Sequence, residues 1–356
     1  MASQLSTAVN GLMLRKVLNS VKILRSSVSP HPLHVQWFLT GRCNYRCSSC
    51  LVWTKSPNPE LSTNEVKKGL DALMRLRVAS LTFTGGNPLL RNDIEEILRY
   101  SHERFPLVAI YDNGSLAHKK LAALRYADRV CISLNTDNPP LQDRMSGVKQ
   151  AYHNAVKSIE TLTDANIPVS VSITVSEANM NDALKLIRRF SLKGISVNLS
   201  LYSEDNASEG IFQIGTHVND LTIRSKDRML RFLVTLRKLK MEHPIHLSNR
   251  TLTSLETFFA NDRRDWTCQG LSSFFVVNEL GDVSACHLYP SVCKVWDLPQ
   301  LWESSEFQEL RTQCNRCEKC SYLCYIEFSH DRRISDLLRY AWEYESHRLN
   351  KIIRSE

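Results

Sequence analysis

Residues 34–50 read HVQWFLTGRCNYRCSSC. A short apolar run rich in aromatic and β-branched side chains ends in a glycine, and three cysteines follow in a Cys-x3-Cys-x2-Cys pattern. The run, His34–Thr40, reads as a strand. Outward from it the same grammar repeats. Strands are expected at Ser80–Thr84, Leu107–Tyr111, Arg129–Leu134, Pro168–Thr174 and Ser196–Leu201. Helices are expected between them at Ser62–Leu76, Asp93–Glu103, Leu116–Tyr126, Ala151–Ala165 and Met180–Phe190, the first opened by a Ser62/Glu65 capping box. Six strands apolar enough for burial on both faces, alternating with helices, imply a parallel α/β array. Six units are fewer than the eight of a closed barrel, and a doubly wound sheet fits the same periodicity. The placement of the unusual residues favours a partial barrel. Cys43–Cys50, Gly85–Pro88, Asn113-Gly114, Asn135 and Tyr202 all follow C-terminal strand ends, the face on which barrels keep their active sites. The expected architecture is a partial (β/α)6 TIM-like barrel over 33–245 with a small cysteine-rich domain over 246–330. A basic amphipathic helix within 1–32 precedes it, and a charged helix over 331–356 follows.

The 356 residues are 43% hydrophobic and 23% charged, as in globular chains. No apolar run is long enough to span a bilayer. Lysines and arginines exceed acidic residues by 45 − 37 = 8, and no acidic residue precedes Glu60. Residues 8–28 place Leu12, Leu14, Val17, Leu18, Val21, Ile23 and Leu24 mostly three or four apart, with Arg15, Lys16, Lys22 and Arg25 among them. Such a helix can dock on its own domain or on an anionic membrane surface. The interrupting charges exclude a secretory signal.

Eleven cysteines are too few for a disulfide scaffold, and they are bunched: three in 43–50 and four in 314–324. Bunched thiols in a chain without a secretory signal read first as metal ligands. Cys43, Cys47 and Cys50 could each hold one iron of a cubane, leaving a fourth iron open, as a catalytic site requires. A structural zinc site needs four ligands, and no further cysteine or histidine follows until His102. For 314–324 a zinc ribbon is the alternative. Cys131, within a strand, reads as a small buried hydrophobe, Cys293 as a packed or free thiol, and His287 as a surface residue. Tyr111, Asp112, Tyr202 and Glu204 are expected at the barrel mouth, where acid–base residues sit.

These residues resemble the radical S-adenosylmethionine (SAM) enzymes. The resemblance rests on the Cys43/Cys47/Cys50 spacing, on Gly85-Gly86-Asn87-Pro88, which is similar to the family's Gly-Gly-Glu-Pro, and on Ile132-Ser133-Leu134-Asn135. It runs from Leu33 to about Phe328. It implies a [4Fe–4S] cluster on the three cysteines with SAM chelated at the open iron. One electron then cleaves SAM to methionine and a 5′-deoxyadenosyl radical, which abstracts hydrogen from, or adds to, a substrate. Gly85, Gly86, Asn87 and Pro88 would lie against the SAM amino group, and Ser133 and Asn135 against the ribose. The sequence departs from the pattern at Asn87, usually Glu, at Asn135, commonly Asp, and at Ser49. Cys268-x12-Gly281-x4-Cys286 followed by Cys314, Cys317, Cys320 and Cys324 resembles the family's SPASM or twitch extensions, which implies at least one auxiliary [4Fe–4S] cluster. Cys268, Cys286, Cys314 and Cys317 form the best single set of ligands.

The resemblance also implies a ferredoxin- or flavodoxin-type electron donor. The substrate is expected to be small or lipid-like, the basic N-terminal helix being similar to that of lipid-assembling members. Peptide maturation or sugar-alcohol dehydrogenation is the alternative. A non-catalytic zinc or iron–sulfur protein that binds nucleic acid is the reading from another class, and no nucleic-acid partner is expected. Clusters and unpaired thiols point to a reducing cytoplasm, with peripheral membrane contact through residues 8–28.

Overall fold

A computed structural model describes residues 31–54, 59–204, 220–318 and 321–330. The expected helices at 8–28 and 331–356, and Cys320, lie outside the described residues. The strands are β1 (His34–Thr40), β2 (Ser80–Gly85), β3 (Leu107–Asp112), β4 (Arg129–Ser133), β5 (Val169–Val175), β6 (Ser196–Leu201), β7 (Ile245–His246), β8 (Phe274–Val277), β9 (Asp282–Ser284) and β10 (Cys293–Lys294). The helices are α1 (Thr63–Arg75), α2 (Ile94–Arg104), α3 (Leu121–Leu124), α4 (Pro139–Ser146), α5 (Ala151–Asp164), α6 (Met180–Leu192), α7 (Lys226–Lys240), α8 (Asn249–Asn261), α9 (Leu298–Leu301), α10 (Ser305–Asn315) and α11 (Leu323–Ser329). The helix expected over Leu116–Tyr126 is instead a 3-10 turn at Ala117–Lys119 followed by the single turn of α3. That over Ser62–Leu76 forms with both arms of its capping box.

All described strands belong to one sheet, in the order β10-β9-β8-β1-β2-β3-β4-β5-β6-β7. Pairing is parallel from β8 to β7, and β9 and β10 continue it antiparallel. The partial, unclosed barrel is therefore wider than the six expected strands. β7 extends one edge, and β8, more than 230 residues after β1 in sequence, extends the other. The sheet is continuous from the barrel strands into the cysteine-rich region.

Alternation sorts the strands into two faces. Val35, Trp37, Leu81, Phe83, Val108, Ile110, Val130 and Ile132 pack outward with the helices into the main core. The inner face is polar where the sequence alternates, with Thr82, Tyr111, Cys131, Ser170 and Asn198 on successive strands. α11 lies against this face. Phe328 stacks on the His34 ring at 4.2 Å, and Tyr325 stacks on Phe274 at 4.9 Å. Burial pushes the His34 imidazole down to about 3, so it packs as a neutral ring, its Nδ1 2.8 Å from Ser80 Oγ. At the other side of α11, Glu327 accepts hydrogen bonds from Ser248 N–H, Ser248 Oγ and Thr251 Oγ1 at the start of α8. α11 thus bridges β1 and β8 at one edge of the barrel to α8 near the other.

Candidate active site

The cysteine loop leaves β1 at Gly41 and is held from three directions. Glu60 accepts from Thr40 Oγ1 and from the Arg42 guanidinium, and Arg91 packs beside it. At the far side, Arg46 N–H and Ser48 N–H donate to the carbonyls of Ser146 and Met145 at the end of α4, each at 3.1 Å. Gly147, the left-handed C-cap of α4, lets this approach occur, because a Cβ there would overlap the Arg46 carbonyl. From the third direction comes Gly85-Gly86-Asn87-Pro88. Gly86 N–H donates to Thr40 O at 2.8 Å and Asn87 N–H to Arg42 O at 2.7 Å.

Cys43, Cys47 and Cys50 are all half-buried thiols in no disulfide. Burial, then the nearby Cys50 and Cys43, push Cys47 up to about 12. Thiols this reluctant to ionise alone are ones that the positive charge of bound iron converts to thiolates. Asn113 Nδ2 points at Cys43 Sγ from 3.9 Å. Trp53 covers the loop, donating to Cys47 O at 3.2 Å beneath the Arg46 guanidinium. Among the described residues, no three His, Cys, Asp or Glu side chains converge tightly enough to hold a single ion. Three thiols on one loop match the protein ligands of a cubane whose fourth iron is left open.

The residues expected to contact SAM are placed as follows. Gly86 lies on the cysteine loop, and a Cβ there would overlap the Arg42 carbonyl and stand 3.1 Å from Cys43 Cβ. Its smallness serves loop packing. Asn87 is fully buried, its Oδ1 accepting from Leu89 N–H at 3.0 Å and its Nδ2 reaching Asn44, Asn113 and Ser115. Pro88 opens the short turn that Asn87 caps. Asn135 Oδ1 accepts from Thr174 N–H at 2.8 Å and so ties the ends of β4 and β5 together. Ser133 ends β4, half-buried.

Two readings of single residues, Asp112 and His287, are corrected by their surroundings, and two more gain detail. Asp112 does not face the mouth as an acid–base group. It is 2% exposed, with Oδ2 accepting from the backbone N–H groups of Gly114, Leu116 and Ala117. Cys131 is buried as expected, and its sulfur also accepts from Ser170 Oγ at 3.3 Å and Asn198 Nδ2 at 3.2 Å on the inner face. Tyr111, half-buried on the inner face, is close enough to hydrogen-bond Cys131, and desolvation there pushes its phenol well up. His287 is 1% exposed, its Nδ1 2.7 Å from Tyr325 Oη. No sequence signal separates these cases, since alternation tells which residues face inward and not what they meet there. Tyr202, itself buried, and Glu204 follow β6 directly. With Thr222, Phe258, Phe259 and Ser321 they line a cavity of about 270 Å³ beyond β6, where Glu204 accepts from Thr222 Oγ1.

The later cysteines divide. Burial, then Cys268 and Cys317, push Cys314 up to about 12. The Tyr289 phenol is pushed up by burial, by a hydrogen bond with Cys317, and by Cys314 and Cys286. Gly270 carries no Cβ where one would come within 3.5 Å of Cys314 Sγ. Cys268, Cys286, Cys314 and Cys317 are therefore neighbours around Tyr289 and could hold one cluster. Cys324, on α11, is exposed. Cys293 lies in β10, packed on the main core. The two sets share one apolar wall of Phe38, Phe274, Val276, Tyr322 and Tyr325. Cys50 packs on it, and so do Cys268 and Cys286.

Residues 37–190 match the sequence model of the Radical SAM superfamily. The chain is 27% identical over 276 residues to the antilisterial bacteriocin subtilosin biosynthesis protein AlbA of Bacillus subtilis, which covers 74% of this chain and 57% of AlbA. The chain thus spans little more than half the length of that relative. It is 26% identical over 321 residues to the AdoMet-dependent heme synthase of Oleidesulfovibrio alaskensis, covering 82% of this chain and 81% of the synthase. SuiB of Streptococcus suis, solved bound to the precursor peptide SuiA, shares its fold with a TM-score of 0.63 at 15% identity, over 82% of this chain and 70% of SuiB. Over residues 37–190 the chain carries the sequence pattern of the radical SAM superfamily. The Cys43/Cys47/Cys50 loop lies in the matched region and is the part that would hold a SAM-binding [4Fe–4S] cluster, and the later cysteines are those that would hold an auxiliary one. Among the described residues no helix is long and apolar enough to cross a membrane.

Proposed function

We propose that the chain is a radical SAM maturase that modifies a peptide, with Cys43, Cys47 and Cys50 holding the SAM cluster and Cys268, Cys286, Cys314 and Cys317 holding a single auxiliary cluster. The observation that carries this is one apolar wall on which Cys50 of the first set and Cys268 and Cys286 of the second both pack. AlbA serves bacteriocin biosynthesis and SuiB binds a precursor peptide, which supports a peptide substrate. The lipid-like substrate rested on residues 8–28, outside the described residues, and has no counterpart in these relatives. A porphyrin precursor is the second reading, favoured by a heme synthase relative that aligns over four-fifths of both chains.

When bound, the reduced cluster supplies the electron that cleaves SAM to the 5′-deoxyadenosyl radical. The chain supplies the rest. Its loop clamps fix three thiols, Trp53 and the apolar wall exclude water, and the cavity at Tyr202 and Glu204 receives a substrate side chain at the mouth. After anaerobic reconstitution and reduction, the wild type is expected to form 5′-deoxyadenosine from SAM, and Cys47→Ala to form none. Equal amounts from both would refute the assignment of the loop. Turnover raised by candidate precursor peptides and not by iron porphyrins would support the peptide reading, and the converse would favour the second.

The auxiliary set has its own test. Cys314→Ala is expected to lose the auxiliary iron, about half the iron of a chain carrying two four-iron clusters, whereas Cys324→Ala keeps it. Iron loss in Cys324→Ala would require a second cluster or a different ligand set.

A further inference from the structure

The segment that carries Cys286 runs from the end of β9 to Tyr289 and is gripped from two sides. From within, the wholly buried Ser284 Oγ is placed to donate to the carbonyls of Cys286 and Tyr289, each at 2.9 Å. Tyr289 N–H closes the turn on Cys286 O at 3.2 Å. These bonds are local, so they set the shape of the segment and not where it stands in the molecule. From outside comes Tyr325 of α11. Its Oη lies 2.7 Å from His287 Nδ1 and accepts from His287 N–H at 3.4 Å, across 38 residues of sequence.

Both partners are buried, His287 at 1% and Tyr325 at 5% exposure. A phenol and an imidazole taken out of water each need a polar partner, and here each meets the other's. The rings are held as well. Tyr325 stacks on Phe274 of β8 at 4.9 Å, and Tyr322, the N-cap of α11, meets the His287 ring edge to face at 4.6 Å. α11 is itself fixed to the barrel, by Phe328 on the His34 ring and by Glu327 at the start of α8. The main chain one residue beyond Cys286 is thus pinned to a helix that the barrel holds at both of its edges.

We propose, on the reading that Cys286 is an auxiliary ligand, that Tyr325 positions it: through His287 the Tyr325 hydroxyl holds this cysteine where the cluster needs it and registers the cysteine-rich region on the barrel. Tyr325 is a positioning residue, because it acts on the ligand through the residue that follows. Groups that orient a metal ligand in this way are worth about 10- to 100-fold in metal affinity.

The test uses the full chain, reconstituted and reduced without oxygen, with bound iron counted against rising concentrations of a ferrous-iron chelator. Electron paramagnetic resonance separates the clusters, because added SAM perturbs only the signal of the cluster that binds it. Tyr325→Phe keeps the stacked ring and removes the hydroxyl. It is expected to release the auxiliary iron at an about 10- to 100-fold lower chelator concentration and to alter the auxiliary signal, while the SAM-responsive cluster keeps its wild-type resistance. His287→Phe is expected to act in the same direction. The two together are expected to cost no more than about twofold beyond the worse single variant, since both break one contact. Wild-type resistance and signal in Tyr325→Phe would overturn the proposal. So would equal loss from both clusters, which marks a general effect on the fold, or single effects that multiply in the double variant. Should Tyr325→Phe fail to fold, His287→Phe decides, and wild-type resistance there overturns the proposal. Cys286→Ala separates the two levels. Auxiliary iron retained in Cys286→Ala would overturn the ligand assignment and this proposal together, whereas iron lost there and held as tightly as in the wild type by Tyr325→Phe overturns this one alone.

Discussion

Gly86→Ala is expected to leave the chain with its auxiliary iron and without the iron of the Cys43/Cys47/Cys50 loop. The added methyl would overlap the Arg42 carbonyl oxygen and press on Cys43 Cβ. Neither neighbour can yield cheaply. Gly86 N–H and Asn87 N–H are already bonded to Thr40 O and Arg42 O, so the two loops are laced together at backbone level. Relief requires the cysteine loop to shift, and overpacking of this kind costs about 1–3 kcal/mol or more. A displacement near 1 Å at a reacting centre costs on the order of a hundredfold in rate. 5′-Deoxyadenosine formation is therefore expected to fall by at least about a hundredfold. Iron and sulfide counts beside the turnover assay check it, and full iron with wild-type turnover would show that the loops separate freely.

Arg91→Ala is expected to cost about 3–5 kcal/mol, the usual result of removing one partner from a buried ion pair. The guanidinium is 3% exposed. It grips both Asp93 oxygens, at 2.9 and 2.6 Å, and donates to Leu61 O at 2.9 Å. Its other nitrogen stands 3.6 Å from Glu60, which in turn holds Thr40 and Arg42 at the root of the cysteine loop. Denaturant unfolding should register the loss, and the midpoint of thermal unfolding should drop by roughly 5–10 °C. The deficit is also pH-dependent. Burial pushes the Asp93 carboxyl up, but hydrogen bonds from Arg91 and Thr63 outweigh it and hold the group below the ordinary carboxylate range. A carboxyl depressed in the folded state contributes stability above its unfolded value and loses it as pH falls through the folded one. The gap between wild type and Arg91→Ala is thus expected to be widest near neutrality and to narrow below about pH 4. A gap that stayed constant into acid would mean that Asp93 does not carry the effect.

Much of the barrel was legible residue by residue. His34–Thr40 and Ser196–Leu201 fall on their expected limits, and the other four strands within a residue or so. Their signal is local, an apolar run of strand length bounded by turn residues. The Ser62/Glu65 capping box is local too. β7 is two residues long and α4 begins Pro-Pro, so neither has a pattern of its own to read. Both exist because a neighbour holds them, β6 for the first and the cysteine loop for the second.

The sequence alone was enough to place the six strands β1 to β6 and the three-cysteine loop at the end of the first, and through them the resemblance to radical SAM enzymes. Spacing along the chain carries that information, because three ligands on one loop stay together however the rest folds. Only the tertiary structure decided which distant groups meet. It set β8 beside β1, with Trp37 donating to Asn278 O across 241 residues of sequence. It brought Cys286, Cys314 and Cys317 near Tyr289 and Cys268 near Cys314, and left Cys324 exposed. It gave Cys131 two polar donors and put Asp112 beneath three backbone N–H groups. A side chain's partners and desolvation are properties of the packed interior. Periodicity in the chain says only that such a residue is inside.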